Sequence, residues 1–189
     1  DPNRNRSHGL PYTQDPGITA RIILAWVFWI LGEVDQVEPL ALEALAMARE
    51  LEHPFTLVFA LTSLSWIYST TRDAQRTLQL TDEAVAVSTK HSFELGLSWA
   101  TVLQGWALAE QGRAEGLGKL TQGLSAVAAT GASLNNTFTL ALLAEIYLRH
   151  NRIDEGLGAI EDAQKLATTW GELFWQAELF RLKGELLLR

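Results

Sequence analysis

A tryptophan returns every 40 residues along this chain. Trp26, Trp66 and Trp106 each stand in an apolar stretch, six residues before the turn that ends it. The strings LAWVFWILGEVDQ, LSWIYSTTRDAQ and QGWALAEQGRAE align, and AEIYLRHNRIDE follows with Glu145 in the tryptophan column. Recurrence of this length marks stacked helical hairpins, in which each unit buries its apolar face only against its neighbours. A closed helical bundle or two separate four-helix units would not need equivalent side chains at a fixed interval. The expected fold is all-α: a right-handed α–α superhelix of about four and a half hairpins with a ~40-residue period.

Turn formers place the boundaries. Residues 1–16 read as a polar N-terminal tail and 17–189 as a helical repeat domain, with repeats over about 18–53, 54–92, 93–132 and 133–171 and a partial one over 172–189. Asp15-Pro16-Gly17 starts the first helix, since aspartate caps and proline suits a first turn. Gly32 ends it. Asp35 is expected to cap a second helix from Gln36, with Pro39 tolerated in its first turn. Gly32, Arg72 and Gly112 are 40 apart and Asn151 follows after 39, because GRAEGL is one residue shorter than NRIDEGL. Gly171 is expected to open a last helix that runs to Leu188, without a partner helix. Small residues recur at Ala25, Ser65, Gly105, Ala144 and Gly184, and again at Ala44, Ala84, Gly123 and Ala163, where lack of bulk lets helices approach.

Charge and composition exclude several functions. A net charge of −7 without a Lys/Arg cluster disfavours nucleic acid and anionic membrane surfaces, which require concentrated positive charge. The longest apolar run, Ile22 to Leu31, is about half the ~20 residues that span a bilayer. The absence of cysteine removes disulfide and thiolate chemistry and fits a reducing compartment, so the cytoplasm is expected. His8, His53, His91 and His150 never pair at the spacing of two ligands on one helical face, so no metal is expected. No two carboxylates stand out as an acid–base pair. Gly116-Leu117-Gly118 and Gly156-Leu157-Gly158 open helices without a preceding strand, unlike a dinucleotide fingerprint. No catalytic residue and no cofactor is predicted.

The string LALLAEIYLRHNRIDEGLGAIEDAQKLA resembles a tetratricopeptide repeat lengthened from 34 residues to about 40. With YTQDPG, ELEHPF, GWALAEQGRAEGL and the closing FWQAELFRLKGELLLR, residues Tyr12 to Arg189 resemble the C-terminal repeats of large bacterial signalling ATPases. In that family a cyclase-like or DNA-binding output domain and a nucleotide-binding module precede the repeats. Glu38-Pro39 and Glu145 depart from the usual pattern, and no GxxxxGK[ST] string is present.

The resemblance implies that the first helix of each pair lines a concave groove. The column Trp26, Trp66, Trp106 and Glu145 is then expected to face it, with Trp29, Thr62 and Thr70 one turn away. Glu110, Glu145 and Arg149 would supply polarity at one end. Stacked indoles could hold an extended peptide, a helix or a flat small molecule; alternatively, tight curvature buries them as core. Trp99, Trp170 and Trp175 are expected to pack between repeats. The implied function is a non-catalytic interaction or sensor module for a protein or peptide partner, or a small effector, with superhelical pitch carrying the signal. Self-association through Phe180, Leu182, Leu186 and Leu187 on the last helix is the alternative, and an enzyme of unknown type a further one.

Overall fold

Asp15 begins the array as its side chain allows: its carboxylate accepts from the backbone N–H groups of Gly17 and Ile18, at 2.9 and 3.0 Å, while Pro16 fills the first helical turn. A computed structural model of the chain describes residues 14–132 and 134–189. Nearly all of the expected polar tail, including His8, lies outside the described residues. The described helices are α1 (Pro16–Leu31), α2 (Val34–Glu50), α3 (Pro54–Thr70), α4 (Ala74–His91), α5 (Glu94–Glu110), α6 (Glu115–Ala129), α7 (Asn136–Arg149), α8 (Ile153–Trp170) and α9 (Gln176–Leu187). Consecutive odd and even helices pack as hairpins, and no strand occurs among the described residues. The architecture is the all-α, right-handed superhelix of tetratricopeptide type.

Both turns of each of the four hairpin repeats contain a residue with a left-handed backbone, and the connection from α6 to α7 contains a second one, Asn135. In the first turn these are Gly32, Arg72, Gly112 and Asn151, and in the second Glu52, Ser92, Gly131 and Gly171, with φ from 54° to 80°. Such a residue lets the amide groups just past a helix return to its last carbonyls. Glu33, for example, donates to Phe28 and Asp73 to Tyr68, each at 2.9 Å. The two columns also locate the missing residue between positions 112 and 131, and α6 is the shortest second helix at 15 residues.

The small columns are the packing surfaces. Ala25, Ser65, Ala144, Ala44, Ala84 and Ala163 have no exposed surface. Packing is tightest between α5 and α6. A Cβ on Gly105 would stand 2.2 Å from the Leu120 amide nitrogen, one on Gly116 2.3 Å from that of Ala109, and one on Gly123 2.6 Å from that of Val102. The two backbones touch, and only glycine fits between them.

Three expectations need correction. The second helix starts at Val34 rather than Gln36, because the Gln36 amide closes a tight turn onto the Glu33 carbonyl at 3.0 Å; Pro39 therefore lies inside the helix. The last helix starts at Gln176. Residues before it are held elsewhere: the Glu172 carboxylate accepts from the backbone N–H of Asn135 (2.9 Å) and of Thr137 (3.3 Å) and from the Thr137 hydroxyl (2.6 Å), so it caps α7 from one repeat away. Nearest-neighbour packing also fails on the inner surface. Trp29 of α1 lies 5.9 Å from both Phe174 and Trp175, which immediately precede α9.

Candidate functional site on the concave face

The inner face of α3, the start of α5, the residues just before α7 and the middle of α1 line a cavity of about 430 Å³. Along α3 the wall is Phe55, Phe59, Thr62 and Trp66, spaced to fall on one helical face. Trp26 closes it from α1 and Trp99 from α5, while Leu134 and Asn135 border it beside α7. None of its described lining residues is charged. The floor is an aromatic chain: Trp66 lies 5.4 Å from Trp99 and 5.2 Å from Phe138, and Phe138 stacks on Trp175 at 4.1 Å. Trp26 meets Trp29 edge to face at 5.7 Å. The Thr62 hydroxyl is occupied with the Val58 carbonyl at 2.8 Å, so this wall is apolar in effect.

The tryptophan column does not form one wetted strip. Trp26 is half-buried, Trp66 is 5% exposed and Trp106 is fully buried. Trp106 belongs to the core, where its ring N–H finds no hydrogen-bond acceptor. Position in the repeat is shared, but depth is set by curvature, and the middle repeats are covered on both sides. Trp29 faces the aromatic chain rather than the cavity. Thr70 is half-buried with its hydroxyl on the Ile67 carbonyl at 2.7 Å and is not part of the cavity wall. Trp99 packs between repeats as expected, against Trp66, and also lines the cavity, as do Phe55, Phe59 and Leu95, none of which was expected there. The four-residue spacing of Trp99 from Leu95 on α5, parallel to the stripe on α3, was the available signal.

Glu110, Glu145 and Arg149 do come together, at the ends of α5 and α7. Arg149 bridges Glu110 at 2.6 Å and Glu145 at 2.9 Å. Glu145 also pairs with Arg72, in the turn after α3, and Arg72 approaches Glu178 of α9 at 3.9 Å. Burial works against the Arg149 charge, but the hydrogen bond and charge of Glu110 and the charge of Glu145 outweigh it and hold the guanidinium more firmly protonated than usual. Glu178 and Glu185 hold Arg181 in the same way. This network links the second repeat to the third, fourth and fifth, and leaves one Glu110 carboxylate oxygen, Oε1, buried without a hydrogen-bond partner. Leu182 and Leu186, expected in an exposed self-association face, are instead buried at 1% each.

A smaller cavity of about 230 Å³ lies behind Trp29, against Tyr68, Glu38 and Arg76. Burial, followed by the Glu38 charge, raises the Tyr68 hydroxyl above its ordinary 10.0. Arg76 lies 5.2 Å over that ring and pairs with Glu38. No group of three His, Asp or Glu side chains among the described residues is arranged to hold a metal ion. No described helix is long and apolar enough to cross a membrane.

No protein-family model matches this sequence, and no curated protein does. Among solved structures it is similar to the apo form of RapI, a tetratricopeptide-like helical repeat protein. The TM-score is 0.68 at 14% identity, over 96% of this chain and 66% of RapI. The likeness extends across nearly all of this chain and about two thirds of its neighbour, and it concerns the fold alone.

Proposed function

We propose that this chain is a non-catalytic interaction module that receives an apolar side chain of a partner peptide in the cavity between Trp26, Trp66 and Trp99. One observation carries the reading: a concave, uncharged cavity of about 430 Å³ walled by three indoles on three successive first helices. Rigid aromatic walls bind an apolar group at little cost in side-chain order. A flat small effector of the same polarity fits the same chemistry. Trp106 supports this surface from below, and Glu110, Glu145, Arg149 and Arg72 fix its far end.

The wider setting comes from the sequence resemblance: repeats of a cytoplasmic bacterial signalling ATPase with a cyclase-like or DNA-binding output domain. The contacts of Trp29 with Trp175 and of Arg72 with Glu145 connect the groove to superhelical curvature. A segment wedged beside Trp66 and Trp99 would bias that curvature, and so an attached domain. The test is to select peptides from a random library on the full chain and titrate the best with purified protein. Trp99→Ala should weaken binding at least about tenfold while helicity is kept. Equal affinity for the variant, or selected peptides without aromatic or aliphatic residues, would exclude the cavity as the site.

A further inference from the structure

Three of the four second helices carry leucine at one equivalent position. Leu78 of α4, Leu117 of α6 and Leu157 of α8 each follow the first buried residue of their helix, which is Thr77, Gly116 and Gly156 in turn. All three leucines are half-buried and packed against the core. In α2 the same register, one residue after Val37, falls on Glu38, whose side chain is 49% exposed. The departure from the repeat pattern at Glu38-Pro39 therefore has a structural counterpart. Between the first hairpin and the second, a carboxylate stands where the other repeats bury a leucine, and the cavity of about 230 Å³ lies beside it.

The base of this cavity is aliphatic, with Leu64 and Ile67 buried there, and Trp29 and Tyr68 give it two aromatic walls. A cavity of about 150 Å³ holds benzene, so this one has room for an aromatic ring with a short side chain. Charge at its rim does not balance: Glu38 and Asp73 bring two carboxylates and Arg76 one guanidinium. Asp73 is committed, since one oxygen caps α4 by accepting the Arg76 backbone N–H at 2.9 Å and the other lies 3.4 Å from Arg76 Nε. Arg76 also donates to Glu38 Oε1, which leaves Glu38 Oε2 without a protein partner. The Glu38 charge raises the Tyr68 hydroxyl more than the Arg76 charge lowers it, and Asp73 adds to the rise, so Tyr68 meets a net negative field.

We propose that this cavity is a binding site for a small aromatic primary amine, its ring between Trp29 and Tyr68 and its ammonium on Glu38. Apolar walls with a single convergent charge suit such a ligand. An anion would meet two carboxylates and a guanidinium already bridged to both. The site is separate from the groove and needs no peptide partner.

Phenethylamine titrated into the full chain at neutral pH, followed by calorimetry, provides the test, with phenethyl alcohol and phenylacetate as neutral and anionic counterparts. The amine binds saturably, the alcohol about tenfold more weakly, and the acid not at all. Glu38→Gln, which adds no bulk, brings the amine down to the level of the alcohol. Glu38→Leu, which restores the residue of the other second helices, fills the cavity and abolishes binding without lowering Tm. Trp99→Ala leaves the amine affinity unchanged, which separates this cavity from the groove. Equal affinity for amine and alcohol, tighter binding of phenylacetate, or amine binding that survives Glu38→Leu overturns the proposal. So does a loss of amine binding in Trp99→Ala, or no saturable binding at about ten millimolar amine.

Discussion

Where α3, α5 and α7 begin, the inner face is aromatic and leaves a cavity; where α5 and α7 end, it is ionic and closed. Both regions sit on the same helices. Long charged side chains are flexible and directional, so Arg149 and Arg72 reach Glu110, Glu145 and Glu178 and fill the space between repeats. Indoles are rigid, so Trp66 and Trp99 meet edge to face and, with Trp26 across from them, leave room beside them. An apolar gap between rigid rings is the arrangement that suits a ligand's apolar group.

Four substitutions break or sharpen that contrast. The largest effect belongs to Gly105→Ala, which drives a Cβ into the α6 backbone. It should cost about 3 kcal/mol or more in urea unfolding and impair both regions together, since α5 contributes to each. Arg149→Met leaves the Glu110 and Glu145 carboxylates, 11% and 12% exposed, without their shared cation. Because the guanidinium itself is nearly half exposed, the expected loss is about 1–2 kcal/mol. Peptide binding at the aromatic region should hold, and added salt should weaken the variant less than the parent. For Trp99→Ala, half-buried at the cavity wall, the stability cost is about 2 kcal/mol against a loss of most binding. If instead stability collapses while binding survives, the two regions have exchanged roles.

Tyr68→Phe is the smallest change and touches neither region. Burial holds the Tyr68 phenol neutral in the folded chain, with a pKa raised from 10.0. A raised folded value means the contribution is complete below the unfolded value and fades as pH climbs through the folded one. The variant should therefore match the parent at neutral pH and lose less stability on the alkaline side, as followed by thermal melts against pH.

The repeat was legible because its marks are local. A helix hydrogen-bonds within itself, and the Asp15 cap, the left-handed turn positions and the small columns each show in a few adjacent residues. The start of α9 was not legible, since it depends on Glu172 capping a helix some 35 residues earlier in the chain and on Trp175 stacking over Phe138. The cavity was half legible. Trp26, Thr62 and Trp66 were anticipated, but Trp99 stands outside the 40-residue column, and what brings it to Trp66 is the packing of α5 against α3. Superhelical curvature sinks Trp106 below the surface, although its place in the repeat equals that of Trp26.

An ordinary stack of helical hairpins can unravel from whichever extremity is weaker, one unit at a time. Here α1 rests on the residues that lead into α9, Trp29 against Phe174 and Trp175. With α1 leaning on the residues that lead into α9, these repeats behave less like a row of bricks than like a coil latched shut, and loosening one side of that contact loosens the other.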